Sequence, residues 1–286
     1  MRHVVVLFFV AAAALAPPHS PGATMTTPCE RRALLGGTVA TAMTASPALA
    51  MWQMWQPEDM VYYVDTYGEP GNATSVLAAM DKCASTSWMM NMGAEKGAIV
   101  EEAFRNRKSV LEVGTFLSYM SIRIAAHTSA RVTTVEIDRA NFDAATLIRD
   151  RALSAEDKRR VLALNAPFRQ VLPRLSGKFD AVLMDHWKAD YAADLDALAR
   201  SGRLADGALV VADNVLFPGA PELLDYLGVP FSHGHDDVSG QPCLRVASSG
   251  EDTSFASPHF DTVLVPSAFE YRPDTPDAMA FATYHR

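Results

Sequence analysis

Cysteine is scarce, with only Cys29, Cys83 and Cys243 in 286 residues. That number excludes a disulfide scaffold. Two reduced thiols are expected at Cys83 and Cys243, in preference to a single bridge. An excess of basic charge is missing as well. The formal net charge is −8, and it is more negative still without residues 1–50, where Arg2, Arg31 and Arg32 face only Glu30. A general nucleic-acid binder is excluded on that balance. No apolar run reaches the roughly 20 residues that span a bilayer, so no stable membrane insertion of the mature domain is expected. No internal repeat is visible, which argues against solenoids and propellers. What remains, 49% hydrophobic and 20% charged residues, is the composition of an ordinary globular protein.

Residues 1–50 read as a targeting segment, possibly bipartite. Arg2 and His3 precede the apolar run Val4 to Ala16, which resembles a secretory signal. Arg31-Arg32 then precede a weakly apolar run that ends in Ala48-Leu49-Ala50, which resembles a twin-arginine signal with its cleavage site. The expectation is an exported protein, in a plastid or thylakoid lumen or secreted, with a mature domain over residues 51–286. A start at Met25 with one bacterial-type signal is the simpler account.

From Pro57 to Arg107 apolar residues recur at helical spacing, for example Val76, Leu77 and Met80, then Ile99, Val100, Ala103 and Phe104. Beyond that point short apolar runs alternate with helical segments. Ser109 to Gly114, Arg131 to Asp138, Val161 to Ala166, Phe179 to Asp185 and Ala208 to Asp213 suit strands buried on both faces. The segments Ser118 to His127, Ala140 to Leu153, Ala189 to Arg203 and Ala220 to Leu227 suit helices. The fold class is therefore α/β: a doubly wound, mostly parallel sheet with extra N-terminal helices. Phe260 to Ser267 and Ala278 to Tyr284, around Arg272-Pro273-Asp274-Thr275-Pro276, read as an antiparallel C-terminal hairpin at one sheet edge. The Gly/Ser/Asp-rich stretch between Leu227 and Phe260 reads as a surface loop.

In such sheets ligands bind beyond the carboxyl ends of the strands. Glu112 and Gly114, Glu136, Asp185, and Asp213-Asn214 would share that rim. Leu111-Glu112-Val113-Gly114 leading into a helix, with Glu136 about 20 residues on, is a nucleotide-type strand–turn–helix. The turn Gly114-Thr115-Phe116-Leu117-Ser118 has one glycine, too few for a diphosphate to approach the backbone, which disfavours NAD. Asp185, Asp213 and Asn214 make a hard-oxygen set suited to Mg²⁺, although Asp213 and Asn214 could instead cap the next turn. Lys188, three residues beyond Asp185, could serve as a general base whose pKa a neighbouring dication lowers. His186 is either structural or faces the cofactor. His233-Gly234-His235-Asp236-Asp237 has the composition of a metal site but no further ligand near it.

These residues resemble a known family. Glu69 to Leu77, Trp88 to Gly93, Leu111 to Gly114, Asp185-His186-Trp187-Lys188, Ala212-Asp213-Asn214-Val215 with Pro218 to Pro221, and Phe269-Glu270-Tyr271 closely resemble the motifs of catechol O-methyltransferase, in the family's order. The resemblance implies a Rossmann-like methyltransferase that acts on a small catechol or related vicinal diphenol, and a monomer is expected. S-adenosylmethionine and Mg²⁺ would be its cofactors. Asp185, Asp213 and Asn214 would hold the metal, with Asn214 also close to the substrate, and Lys188 would take the proton. Glu270 would accept a hydrogen bond from the second hydroxyl. Trp88, Met90, Trp187, Pro218 and Phe269 would wall the ring. Met92, Glu112, Gly114, Met120, Glu136, Asp185 and His186 would contact S-adenosylmethionine.

The departures lie on the cofactor side. Ser118 stands for the family's second glycine, Phe116 for its tyrosine and Met120 for the serine at the methionine end. Pro167-Phe168-Arg169 replaces a small-residue and Ser-Gln pattern. Two alternatives follow: a catechol- and metal-binding protein with a degraded cofactor site, or a cation-dependent methyltransferase of phenylpropanoid or flavonoid diols.

Overall fold

The computed structural model describes residues 56–86, 89–237, 239–246 and 253–286. The targeting segment and Trp88 lie outside the described residues. Three helices open the chain: α1 (Pro57–Tyr67), α2 (Ala73–Thr86) and α3 (Gly93–Phe104). Each begins for a local reason. Pro57 occupies the first turn of α1, where its missing N–H costs nothing, and the Gln56 N–H donates to Asp59 Oδ2 at 3.1 Å. Asn72 Oδ1 accepts the Ser75 N–H at 3.1 Å at the start of α2.

The sheet follows with β1 (Ser109–Val113), α4 (Tyr119–His127), β2 (Arg131–Glu136), α5 (Arg139–Ala152), β3 (Val161–Asn165), β4 (Phe179–Met184), α6 (Tyr191–Arg200), β5 (Leu204–Ala212) and α7 (Pro221–Tyr226). The chain ends with β6 (Phe231–His235), β7 (Pro242–Val246), β8 (Ser254–Ala256), β9 (Phe260–Phe269) and β10 (Arg272–Tyr284). Eight strands form the main sheet in the order β3-β2-β1-β4-β5-β10-β9-β8. The first five are parallel, and β10, β9 and β8 are antiparallel to their neighbours.

Strand alternation divides the core. Val110, Ala181, Leu183 and Val211 point to the layer of α1–α5, while Leu111, Val113, Val182, Met184 and Val210 point to the layer of α6 and α7. The expected doubly wound architecture, with its extra N-terminal helices and C-terminal hairpin, is the one observed.

Four expectations need correction. The stretch after Leu227 is not a plain surface loop, because β6 and β7 pair over Phe231–Val246, Gly234–Cys243 and His235–Pro242, and β8 adds a strand outside β9. The C-terminal hairpin is therefore next to the edge rather than at it. Its Pro273 to Thr275 segment is no separator either, since β10 begins at Arg272 and absorbs those residues in a bulge between Arg272 and Pro276. Similarly, β5 begins at Leu204, with a register shift opposite Phe179–Ala181 that accommodates Asp206-Gly207. Turn-like residues in all these places concealed backbone pairing that a bulge can tolerate.

Cys83 and Cys243 are both free thiols, Cys83 buried and Cys243 half-buried. Burial, reinforced by Asp59, pushes the Cys83 thiol up to about 12. Alkylation of the native protein at pH 8, read by peptide mass mapping, is therefore expected to modify Cys243 and to spare Cys83 until denaturant is added.

Candidate active site

The strand order reverses between β1 and β4, and the carboxyl ends of both strands meet there. The contact is backbone to backbone: a Cβ on Gly114 would lie 2.2 Å from the Asp185 carbonyl oxygen, and Gly114 has φ +97°. Only glycine can occupy that position. The turn then passes through Phe116 and Ser118, both with positive φ. It is held by the Gly114 N–H donating to the Val135 carbonyl at 2.9 Å and by the Phe116 N–H donating to Glu136 Oε2 at 2.7 Å.

Glu136 uses its other oxygen to accept the Asp138 N–H at 2.9 Å, which ties the ends of β1 and β2 together. Burial raises its pKa against those two donors. Glu112 faces inward beneath the turn and accepts the Thr134 hydroxyl. Burial, opposed by Thr134 and reinforced by Asp185, pushes its carboxyl up to about 8. Arg149 reaches from α5 to Ser118 Oγ at 3.3 Å. Met120 is buried in the core beside the N-terminal helices.

At the ends of β4 and β5, Asp213 is fully buried. Its Oδ1 accepts the Lys96 ammonium and the Asn214 N–H, each at 2.8 Å, while its Oδ2 has no partner among the described residues. Lys96 also lies 2.8 Å from Glu270 Oε1 and 2.8 Å from Asp277 Oδ2. Asn214 Nδ2 donates to the same two groups, at 2.8 and 3.0 Å, which leaves its Oδ1 on the other side of the planar amide. Asn214 has φ +57° and makes no side-chain cap, so the capping alternative fails for it. Burial and Asp213 raise the Glu270 pKa against the pull of Lys96. Burial likewise raises that of Asp277, again against Lys96.

Asp213, Glu270 and Asp277 bring carboxylate oxygens within 4.8 Å of one another, but the Lys96 ammonium already occupies the space between them. Asp213 Oδ2, without a partner among the described residues, is the carboxylate oxygen of this group that Lys96 leaves uncommitted, and burial and Asp213 together raise the pKa of Asp185. Asp185 Oδ1 accepts the Lys188 ammonium at 2.9 Å, and Lys188 also donates to the Tyr191 hydroxyl at 2.8 Å, which in turn donates to the Met184 carbonyl. Burial alone would lower the Lys188 pKa; Tyr191, Asp185 and Asp213 outweigh it and hold it well above its ordinary value. Without a cation bound, the lysine is thus charged. With four carboxylates, Asp185, Asp213, Glu270 and Asp277, against Lys96 and Lys188, the fully ionised cluster is two positive charges short. One divalent cation has the charge to balance it.

Around this pocket Met90 and Trp187 are exposed apolar side chains, Trp187 at 75%. Pro218 follows a Phe217 whose ring meets Phe269 edge-on at 4.8 Å. His186 Nε2 pairs with Asp194 at 3.0 Å, and Asp194 also accepts from Arg169 at 2.5 Å. His186 Nδ1 is buried with no partner, so the ring is anchored on one side and open on the other. Met92 is buried at the start of α3. His233 and His235 lie on β6, and no metal-type cluster includes them among the described residues.

Lys96, Asp277 and Tyr191 were not singled out from the sequence. Lys96 had a usable signal: it sits on the buried stripe Gly93, Lys96, Gly97, Val100, Phe104 of α3, where a lone charge calls for buried partners. Asp277 had none, because its register depends on the bulge in β10.

An acidic rim at the switch point of a doubly wound sheet with antiparallel strands beyond β5 defines a Rossmann-like α/β fold. Comparison with known proteins agrees. A family profile described as O-methyltransferase matches residues 76–224. Catechol O-methyltransferase B of Danio rerio is 32% identical over 182 residues, 60% of this chain and 68% of that protein. Catechol O-methyltransferase of Mus musculus is 34% identical over 175 residues, 58% and 65% respectively. In fold, the chain is similar to the O-methyltransferase TomG of Streptomyces achromogenes, solved with SAM (TM-score 0.53, 19% identity, 82% of this chain and 100% of that one). The chain belongs to the O-methyltransferase family and is of the catechol O-methyltransferase type.

Two outcomes test the electrostatics. Lys96→Met leaves three buried carboxylates without their counter-ion and is expected to cost about 3–5 kcal/mol in urea unfolding. Glu112 has a folded pKa near 8 against an ordinary 4.5. It is therefore neutral when folded and ionised when unfolded at intermediate pH. The stability that this protonation contributes is complete below pH 4.5 and lost as pH rises through 8. Glu112→Gln is expected to flatten the fall in urea midpoint between pH 5 and pH 8.

Proposed function

We propose that this chain catalyses Mg²⁺-dependent transfer of a methyl group from S-adenosylmethionine to one hydroxyl of a catechol. The observation that carries the reading is the buried cluster at the β4–β5 rim, two positive charges short, with Asp213 Oδ2 unpartnered beside Lys188 and an exposed apolar wall.

Asp185, Asp213 and Asn214 would hold Mg²⁺, which when bound supplies charge stabilisation to a catecholate. Lys188, positioned by Asp185 and Tyr191, would take the proton from the hydroxyl to be methylated as the neutral amine, after giving up its own proton to solvent when a dication beside it lowers its pKa. Glu270, anchored by Lys96 and Asn214, accepts a hydrogen bond from the second hydroxyl. Met90, Trp187 and Pro218 grip the ring and exclude water, with Trp88 assigned the same role by resemblance. Glu136 and Glu112 hold the ribose and methionine ends of the cofactor, and His186 offers Nδ1 to its base. The oxygen freed of its proton bonds to the sulfonium methyl as the carbon–sulfur bond breaks, giving the O-methyl ether and S-adenosylhomocysteine. Alignment of the two reactants is the largest part of what the pocket contributes.

Met120, which offers a thioether where a hydroxyl is expected, favours a second reading in which the diol and metal are bound without turnover. Among the described residues no helix is long and apolar enough to cross a membrane. We read the mature domain, beginning at Met51, as exported and monomeric; N-terminal sequencing of protein from its native source and sedimentation check these two points.

Labelled S-adenosylmethionine, Mg²⁺ and a panel of catechols decide between the readings. Methyl transfer is expected to disappear in EDTA and to fall by about 10²–10⁴-fold in Lys188→Met. Tight catechol binding with no methyl transfer and no cofactor binding would establish the second reading instead.

A further inference from the structure

The paired strands β6 and β7 have no part in the chemistry described so far, and they lie beyond residues 76–224, the stretch that the O-methyltransferase profile matches. They form a sheet of their own, apart from the eight-stranded one. Their packing gives them a role, because β7 lies against the turn Val215–Gly219 that follows Asn214.

That turn carries Pro218, which is exposed. Part of it is fixed by the site itself. The Leu216 and Phe217 N–H groups both donate to Asp277 Oδ1, at 3.2 and 2.9 Å, and Asp277 is one of the carboxylates gathered on Lys96. The Phe217 ring meets Phe269 edge-on. The Gly219 N–H closes the turn onto the Asn214 carbonyl at 3.2 Å. At Gly219 the support comes from the hairpin. Leu244 of β7 is 6% exposed and places its Cγ 2.9 Å and its Cδ1 3.1 Å from the position a Cβ on Gly219 would take. Leu244 belongs to the same core as Val215 and Ala220, with Phe231 and Val246 packed against it, so the hairpin is seated rather than loose. In an interior this closely packed, a change of volume at 244 is felt at 219 and hence at Pro218.

We propose that the β6–β7 hairpin is a specificity element: Leu244, pressed on Gly219, fixes how far Pro218 stands into the ring-binding pocket and so confines the chain to single-ring catechols with small substituents. Leu244 touches no reacting atom and acts through the turn, as a positioning residue. This rests on the reading of the chain as a catechol methyltransferase with Pro218 in the ring wall.

The test compares kcat/KM, with labelled S-adenosylmethionine and Mg²⁺, for a catechol bearing one methyl group and a catechol bearing a phenyl group. The wild type is expected to favour the methyl compound by at least about 10-fold, the scale on which an apolar pocket discriminates by size. Leu244→Ala is expected to lower that preference by about 10-fold, Leu244→Val to lower it by less, and Leu244→Met, which keeps the volume, to preserve it. Calorimetry without metal is expected to give the same S-adenosylhomocysteine affinity in all four proteins. A wild type that takes both catechols equally, or an unchanged preference in both Leu244→Val and Leu244→Ala, would overturn the inference and leave the methyltransferase reading standing. Weakened S-adenosylhomocysteine binding in those variants would make Leu244 a general structural support and overturn it as well. A wild type that methylates neither compound overturns the methyltransferase reading, and this inference with it.

Discussion

The site depends on one buried ammonium. Lys96, from α3, is bonded at once to Asp213 beyond β5 and to Glu270 and Asp277 of the C-terminal hairpin. Without it, three carboxylates packed within 4.8 Å of one another would repel in a medium that screens them poorly. With it, the N-terminal helical layer, the parallel sheet and the antiparallel extension are pinned at one point. That point also sets the direction of the Asn214 amide and leaves Asp213 with one oxygen uncommitted. An ion cluster of this kind is weak evidence for net stability, but it strongly constrains geometry, since moving any partner strands a charge.

The second constraint is the contact of Gly114 with the Asp185 backbone. It brings the ends of β1 and β4 closer than any side chain at 114 would permit. The cofactor turn and the acidic rim are thereby joined, so that a methyl donor over the first and a diol at the second would face each other. Glu136 and Thr134 extend the same tie to β2 through hydrogen bonds to the turn and to Glu112. Chemistry on this fold is a property of strand ends held in fixed register, and Trp187, just beyond β4, is left exposed.

The inserted segment after α7 is built into this frame rather than hung from it. Leu244 of β7 is buried, and its Cγ would come within 2.9 Å of a Cβ on Gly219, whose φ is +103°. The β6–β7 hairpin thus leans on the turn that carries Pro218. Its polar composition conceals this, because the residues facing solvent outnumber the few that pack.

Much of the architecture was legible in the sequence. Continuous apolar runs separated by helical periodicity implied a parallel sheet, since strands covered on both faces need no polar alternation. Placing acidic residues at the ends of those runs then implied a shared rim, and Asp185, Asp213, Asn214, Lys188 and Glu270 do come together there. Tertiary structure alone decided which carboxylates an internal lysine neutralises, which oxygen is left open, and that Lys188 leans on Tyr191. Those outcomes depend on contacts between residues as far apart as Lys96 and Asp277, and on bulges in β5 and β10 that shift register by residues whose types read as turns. Local pattern reports what a segment can form; long-range packing decides what each polar atom meets.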